Sequence, residues 1–483
     1  MHCVALPATL GRLLGPAALA ASLATCAVNP VTGKRELSLV SESQEISMGR
    51  QYAAQVDQQI GVYPDSGLQA YVSRIGLSMA RASERPDLPW TFTVIDDPQV
   101  NAFALPGGFI FVTRGILGDM TNEAELATVV GHEIGHVTAR HSVQQMTRQQ
   151  LAQIGLLAGA IASDRVAQNL GVISQGLGVL FLKYSRDDET QADGLGFRYA
   201  LNAGYDVRQM VDMFQILQRV SASAGQRIPE WQSTHPDPGN RIQRTEERLA
   251  RVTVPLDGKR VGRDAFLDRI DGLVYGNNPR QGYFQGSRFL HPDLAFQLEF
   301  PAGWKTANQA EAVVGLSPNQ DAQVQLALAG SDPPATALQK FLGQQGVQAG
   351  RASQTTINGN PAATAAFSAT TQSGTLDGLV TYAAYGGNTY QLLGVTAGGK
   401  YSTWEGTFQQ FIGSFRRLTD PAALGIRPNR IQVVTVDRNT TLAEFNRRSP
   451  SVIPLDQLAL INGLADGDAQ LARGQRIKRV ITR

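Results

Sequence analysis

Three of the chain's six histidines lie within ten positions, in the stretch ATVVGHEIGHVTARHS at residues 127–142. Apolar residues recur through this stretch at helical spacing, so it predicts a helix with a buried side. His132 and His136 are four residues apart, and a helix therefore projects both imidazoles from one face. Unpaired imidazoles among valines and isoleucines are costly unless something binds them. The alternative, a polar helix face with surface histidines, is disfavoured by those apolar neighbours.

The same spacing has a specific chemical use. Two neutral imidazoles on one helix face can hold one Zn²⁺, which lowers the pKa of a bound water. Glu133 stands one step round the helix, close enough to take a proton from that water without being a ligand. His141 is about 140° round the helix from His136, off the metal-binding face, and we expect it to be a cation at the helix end.

A third protein ligand is needed to complete such a site. Glu189 in RDDETQAD is the candidate, and Asp193 follows it by one helical turn. A carboxylate in that position can accept a hydrogen bond from a zinc-bound histidine and orient its ring. The competing interpretation is an acidic helix start, since Ser185 and Asp188 have the spacing of a capping box.

Composition limits the function classes. The chain has 483 residues, enough for two to four domains, and a formal net charge of +2 without a long basic block. That charge pattern argues against nucleic acid as the main partner. Cys3 and Cys26 are the only cysteines, so the body of the protein has no disulfide framework.

The N-terminus predicts export. Arg12 precedes an apolar run at 13–24 that is too short to span a membrane. The end of this run forms the sequence LATC at 23–26. This resembles a bacterial lipoprotein signal at residues 1–25, with Cys26 lipidated; the alternative is a plain signal peptide with a chance cysteine. Ala27, rather than an aspartate, comes directly after Cys26, which favours the outer membrane. The apolar residues 151–182 are interrupted by charges and do not predict a transmembrane helix.

The motif pair resembles a known family. H-E-x-x-H at 132–136, followed by E-x-x-x-D at 189–193, is similar to the gluzincin peptidases of the HtpX and CAAX prenyl protease group, and most of all to their BepA-like periplasmic lipoprotein branch. CAVNPVTGKRELSLVSESQE, NAFALPGGFIFVTRGIL and STHPDPGNRI also resemble that branch, and the resemblance covers roughly residues 26–250. It implies one zinc per chain on His132, His136 and Glu189, with Glu133 as general base.

The resemblance also singles out His235 and Arg241, which it places near the open side of the metal. Either side chain could stabilise the oxyanion that forms when water attacks a peptide carbonyl. His235 could instead fill the fourth zinc position and keep the site shut. A third possibility is an ordinary proline-bracketed turn before a helix.

Two strands are predicted before the zinc helix, at 90–97 and 107–117. The residues Phe109, Ile110, Phe111 and Val112 belong to the second. An extended substrate could pair with the edge of that strand through backbone hydrogen bonds. The alternative is an ordinary buried strand.

These patterns predict a multidomain α+β protein. A mainly helical gluzincin metallopeptidase domain with a small sheet is expected at 26–252, then a connector at 253–284. An α/β sandwich-like accessory domain similar to PsbP/Mog proteins follows at 285–420. Residues 430–483 resemble a βααβ LysM module, although Arg-Asn-Thr stands at 438–440 where such modules have Gly-Asp-Thr.

Two functions of different classes follow. The first is a periplasmic, outer-membrane-anchored zinc endopeptidase that degrades misfolded or stalled envelope proteins in quality control. The second is a chaperone-like or scaffolding lipoprotein whose zinc site is silent or structural. An intact Glu133 favours the first, because a structural site has no use for a base. Peptidoglycan is a candidate partner of the LysM-like module, and the lipid is the expected membrane contact.

Overall fold

The computed structural model describes residues 25–148, 184–223, 235, 238–309, 311–371 and 374–483. Apart from Thr25, the predicted signal peptide falls outside these residues, as does the 151–182 segment. Within the part described, none of the helices combines the length and the apolar character needed to cross a bilayer. Residues group into two compact units, one formed by 1–57, 62–273 and 431–481 and the other by 58–61, 274–430 and 482–483.

The first unit is mainly helical and carries a short antiparallel pair of strands and a three-stranded sheet. Its helices before residue 273 include α1 (Glu42–Gln59), α2 (Ser66–Ala80), α3 (Arg114–Asp119), α4 (Glu123–Thr138), α5 (Arg186–Asn202), α6 (Gln209–Ser223), α7 (Pro238–Leu249) and α8 (Arg263–Ile270). Residues 141–148 are also helical. Its strands in the same stretch are β1 (Thr25–Val28), β2 (Arg35–Ser38), β3 (Thr91–Ile95), β4 (Ala102–Leu105) and β5 (Phe109–Thr113).

The strand expected to offer its edge to substrate is a central strand, so that prediction is wrong. The sheet order is β3-β5-β4, with β3 parallel and β4 antiparallel to β5. Phe109, Ile110, Phe111 and Val112 are therefore paired on both sides and buried. The chain reverses at Gly107 and Gly108, both at positive φ, which only glycine adopts readily, and this turn lays β4 along the outer side of β5.

The second predicted strand is also shorter than expected. It ends at Thr113 because the Thr113 hydroxyl accepts a hydrogen bond from the Ile116 amide and caps α3. The apolar residues that continue the pattern after this point, Ile116 and Leu117, are buried on that helix instead. Alternation over a few residues cannot separate the end of a strand from one turn of helix.

Helices α4 and α5 pack at unusually close range. A Cβ added to Gly196 on α5 would lie 2.6 Å from the backbone nitrogen of His132, and one added to Gly131 on α4 would lie 3.0 Å from the Gly196 carbonyl oxygen. Likewise, a Cβ added to Gly135 on α4 would lie 3.1 Å from the Ala192 carbonyl oxygen on α5. Small residues on both helices thus bring the acidic end of α5 against the histidine face of α4.

The second unit is an antiparallel sheet with a helix on each face. Its main sheet has the order β12-β14-β15-β16-β11-β10-β9, with β13 also paired to β14, and a smaller sheet has the order β17-β8-β7-β6. Side chains alternate across β15, so Val380 and Tyr382 pack towards one helix while Ala383 joins the core under the other. The several sheets agree with a multidomain α+β protein, and the sandwich-like domain at 285–420 stays a prediction.

The bounds of that unit's elements follow the chain order. The strands are β6 (Tyr283–Gln285), β7 (Arg288–His291), β8 (Phe296–Glu299), β9 (Lys305–Asn308), β10 (Ala312–Leu316), β11 (Ala322–Leu328), β12 (Val347–Ala349), β13 (Ser353–Ile357), β14 (Asn360–Thr371), β15 (Gly374–Tyr385), β16 (Asn388–Ala397) and β17 (Arg416–Arg417). The helices are α9 (Pro334–Leu342), α10 (Tyr401–Gly413) and α11 (Pro421–Leu424).

Residues 431–481, which we call the C-terminal segment, belong to the first unit. Strand β18 (Asn429–Thr435) pairs with β21 (Arg476–Thr482), and helices α12 (Leu442–Arg448) and α13 (Leu455–Ile461) lie between them in the chain. The short strands β19 (Thr440–Thr441) and β20 (Gln470–Leu471) form a second pair. The two helices thus lie between paired strands, and the βααβ LysM-like module stays a prediction.

Candidate metal centre

Four side chains from three parts of the chain bring ligand atoms together. His132 and His136 come from α4, Glu189 from the first turn of α5, and His235 from the chain before α7; their ligand atoms lie within 4.8 Å of one another. The two Nε2 atoms of His132 and His136 are 3.0 Å apart, and His136 Nε2 is 3.4 Å from Glu189 Oε1. All four side chains are buried.

This donor set fits a tetrahedral zinc ion. Ligands at about 2.0–2.1 Å from zinc in a tetrahedron are about 3.3–3.4 Å from one another. The separation of His132 Nε2 from Glu189 Oε2 is 3.7 Å, and that from His235 Nδ1 is 3.4 Å. Glu189 Oε2 is buried without a hydrogen-bond partner among the described residues, although Arg241 Nη1 approaches it at 3.4 Å. Two or three imidazoles and a carboxylate are ligands that zinc prefers.

The protonation of these groups suits metal binding. Burial lowers the pKa of His132 and takes the pKa of His136 well below its usual range, so both rings are neutral donors. Burial alone would raise the pKa of Glu189, but the His235 and His136 rings and the Arg241 guanidinium outweigh it and hold that pKa well below its usual value. Glu189 is therefore a carboxylate.

Glu133 lies beside this group without belonging to it. Its Oε1 is 3.8 Å from His235 Nε2, and its Oε2 is buried without a hydrogen-bond partner among the described residues. Burial raises the pKa of Glu133 to about 7. A carboxylate with a pKa near that of a zinc-bound water can exchange a proton with it in either direction.

Asp193 and Arg241 hold the His132 side of the centre. His132 Nδ1 donates to Asp193 Oδ1 over 2.9 Å, which leaves Nε2 as the ligand atom. Arg241 donates through Nε and Nη2 to the two oxygens of Asp193, at 3.0 and 2.6 Å. Its guanidinium also lies 4.3 Å from the centre of the Phe214 ring. The Asp193–His132 contact is the one that the spacing predicts, and Arg241 joins the centre through Asp193.

His141 is a correction to the sequence-based expectation. It is 1 % exposed, and burial lowers its pKa, so it is a neutral ring rather than a helix-end cation. Its Nδ1 lies 2.9 Å from His136 Nδ1, and its Nε2 lies 2.9 Å from Gln191 Oε1. The helical pattern misplaced it because α4 ends at Thr138 and Arg140 takes a positive φ, which turns His141 back towards His136.

A cavity opens beside the centre. His132, Glu133, His235 and Arg241 form its polar side. The remaining lining residues are mainly apolar, with α6 the largest contributor: Asn101, Ala102, Ile116, Thr128, Val129, Met210, Met213, Phe214 and Leu217.

Asn101 and Tyr184 are site residues that the sequence reasoning missed. Asn101 is 3 % exposed and precedes the edge strand β4, and its Oδ1 finds no hydrogen-bond partner in the described part of the chain. The Tyr184 ring stacks on His136 with the ring centres 3.9 Å apart. Asn101 begins the NAFALPGG stretch that resembles the family, and this could have marked it as a site residue. The sequence around Tyr184 gives no such indication.

The part of the chain that holds this centre is similar in sequence to known proteins. The sequence model described as Peptidase family M48 matches residues 66–249. A putative beta-barrel assembly-enhancing protease of Vibrio cholerae is 31% identical over 231 residues, which are 45% of this chain and 46% of that protein. The mitochondrial metalloendopeptidase OMA1 of Schizosaccharomyces pombe is 31% identical over 230 residues, 47% of this chain and 67% of that protein. The chain spans about half the length of the beta-barrel assembly-enhancing proteases it matches.

Among solved structures, the solution structure of cyanobacterial PsbP from Synechocystis is matched by 28% of this chain and 95% of that one. The sequence identity is 15% and the TM-score is 0.24. A TM-score this low does not assign residues 285–420 to the PsbP fold, and the PsbP/Mog resemblance stays a prediction.

Proposed function

Because the chain belongs to peptidase family M48, we propose that it is a metalloendopeptidase that hydrolyses peptide bonds with a zinc-activated water. One observation carries the proposal: the donor atoms of His132, His136 and Glu189 converge in a buried site, with the free carboxylate oxygen of Glu133 beside them. A structural zinc site does not need that carboxylate.

A zinc ion held by His132, His136 and Glu189 would lower the pKa of a water and polarise the substrate carbonyl. Glu133 takes the proton of the attacking water and passes it to the leaving nitrogen as the C–N bond breaks. Asp193 keeps His132 in the tautomer that presents Nε2 to the metal, and Arg241 keeps Asp193 ionised and oriented.

The edge of β4 is the place where we propose that an extended substrate binds. β4 is the outer strand of its sheet and packs against α4, and Ala102 and Asn101 at its start line the cavity. A substrate strand paired there would run past the metal ligands. Asn101 Oδ1, which has no hydrogen-bond partner among the described residues, can accept a hydrogen bond from a substrate N–H.

For the substrate class we propose unfolded or misassembled envelope proteins. Backbone pairing with an edge strand requires an extended chain and cannot form with a folded surface, so it selects unfolded segments. The Vibrio cholerae relative is named as a putative beta-barrel assembly-enhancing protease, which supports a substrate class connected with that assembly. A lipid on Cys26 would place the chain at the outer membrane, and glycan contact through the C-terminal segment would place it near peptidoglycan.

A second candidate function has one observation in its favour. His235 Nδ1 lies 2.8 Å from Glu189 Oε1 and completes a set of four donors, which could close the metal to water. If that closure is permanent, the protein is a scaffold or chaperone with a silent centre.

The deciding experiment compares three full-length proteins. Wild type, Glu133→Gln and Glu246→Gln are assayed for bound zinc and for cleavage of unfolded casein; Glu246 is exposed on α7 and serves as the matched control. We expect zinc in all three and cleavage in all but Glu133→Gln, because an amide cannot accept the proton. Equal cleavage by Glu133→Gln, or none by wild type, contradicts the proposal.

A further inference from the structure

The C-terminal segment inserts a lysine beside the start of the zinc helix. Lys478 on β21 is 1 % exposed, and its Nζ donates to the carbonyl oxygens of Gly118 and Met120 at 2.7 and 2.5 Å. These carbonyls lie where α3 ends and just before Asn122, the N-cap of α4. A buried amine that donates to two helix-end carbonyls fixes that junction, because the last carbonyls of a helix have no partner within it.

The same segment also holds α6, the apolar wall of the cavity. Arg219 near the end of α6 donates through Nη1 to the carbonyl oxygen of Leu464 over 2.6 Å, and helix α13 packs against α6. Four residues that precede Arg219 on α6 line the cavity: Met210, Met213, Phe214 and Leu217.

A third contact joins the two held elements. Asn122 Nδ2 lies 2.6 Å from Gln209 Oε1, so the N-cap of α4 contacts the first residue of α6. Lys478, Arg219, Gly118 and Met120 do not themselves line the cavity. The C-terminal segment therefore acts on both walls from outside the substrate space.

We infer that the C-terminal segment is a positioning element of the peptidase site, in which Lys478 and Arg219 hold the start of α4 and the length of α6 at the separation that substrate binding requires. The inference rests on the proposed function. In the part of the chain that the structure describes, Lys478 and Arg219 bond to backbone carbonyls and do not line the cavity, so we treat them as positioning residues. The effect of losing them falls on substrate binding more than on the chemical step, because α6 supplies cavity wall and no metal ligand.

The test uses Arg219→Ala and Lys478→Met in the full chain. Arg448→Ala is the matched control, because Arg448 is an arginine of the same segment whose ion pair, with Asp437, stays within it. With a quenched fluorescent peptide as substrate, we expect KM to rise about three- to tenfold in both variants, the size of coupling that packed elements commonly transmit. The value of kcat, the zinc content and the control should stay near wild type.

A purely structural role gives a different result. Partial unfolding removes active molecules, which lowers kcat per mole of protein and leaves KM unchanged; that outcome in Arg219→Ala overturns the inference. Arg219 is only half-buried, so this variant remains informative if Lys478→Met fails to fold.

Hydrogen–deuterium exchange separates this inference from the proposed function. We expect faster exchange at 118–122 and 209–222 in Arg219→Ala and not in Arg448→Ala. If wild type cleaves nothing but this pattern appears, the proposed function fails and the positioning stands. Unchanged exchange in both ranges overturns the positioning, whatever the activity.

Discussion

His235 Nδ1 lies 2.8 Å from Oε1 of Glu189 and 3.4 Å from Nε2 of His132. A histidine that precedes α7 thus reaches the ligand atoms of α4 and α5. Burial would lower the pKa of His235, but the nearby Glu189 carboxylate outweighs burial and raises it. The ring is held in the centre by the same carboxylate that is proposed to bind the metal.

From that contact we expect His235→Ala to increase basal proteolysis. If the ring occupies the fourth position in about nine molecules of ten, its removal raises the rate about tenfold. Casein cleavage at saturating zinc measures the effect, and the increase must vanish in the double variant with Glu133→Gln. A fall of about 10²–10³-fold in kcat would instead assign His235 to oxyanion stabilisation.

Zinc binding should depend on two of the clustered histidines to different degrees. His136→Ala removes one of three protein ligands, and we expect the purified protein to lose its zinc. His141→Ala removes the partner of His136 Nδ1 and should weaken zinc affinity about 10–100-fold. Competition with a chelator measures both. His291→Ala, outside the centre, is the control; stoichiometric zinc in His136→Ala refutes the ligand assignment.

The close packing of α4 and α5 predicts opposite effects for two neighbouring glycines. Gly196→Ala places a Cβ 2.6 Å from the His132 backbone nitrogen, so the helices must separate, at a cost of about 1–3 kcal/mol of stability and of zinc affinity. Gly194→Ala meets only the end of the Arg248 side chain at 3.7 Å and should stabilise α5 slightly. Thermal unfolding with and without zinc measures both; equal effects would contradict the packing argument.

Asn101→Ala should weaken substrate binding without changing the metal. The loss of one hydrogen bond to substrate, worth about 0.5–1.5 kcal/mol, lowers kcat/KM about two- to twelvefold. Zinc content and thermal stability should match wild type, since Asn101 Oδ1 has no partner to lose in the described part of the chain. An unchanged kcat/KM on peptide substrates would remove Asn101 from the site.

Localisation is tested by two cysteine variants. We expect Cys26→Ser to release the protein from the membrane fraction, because the lipid is the proposed anchor. Cys3→Ser should have no effect, since Cys3 lies within the predicted signal peptide. Cell fractionation with immunoblotting measures both, and a Cys26→Ser protein that still pellets with outer membranes points to another attachment.

The zinc helix and its chemistry could be predicted because they are local. The four-residue spacing of His132 and His136 places both rings on one face in any helix, and Glu133 follows from the same geometry. The cap of the second site helix could also be predicted, since Ser185 accepts a hydrogen bond from the Asp188 amide three residues on. Glu189 and Asp193 could be predicted to share a face for the same reason, because they lie one turn apart on a single helix.

Other parts of the site depend on chain reversals that spacing does not encode. His141 was misplaced because one residue at positive φ, Arg140, turns it out of the helical path. The strand Phe109–Thr113 was given an edge role because alternation does not say which neighbours a strand acquires, and β4 and β3 cover both of its sides.

By itself the sequence determined the ligand types, their helical faces and the base, because these depend on residues within one or two turns of each other. Only the tertiary structure decided that α5 approaches α4 closely enough for Glu189 to meet both histidines, that His235 completes the donor set, and that Lys478 lies under the start of the zinc helix. Those contacts join residues up to 360 positions apart. They are set by shape complementarity between surfaces, such as Gly131 against Gly196, and such complementarity belongs to the packed pair of helices rather than to either segment of sequence.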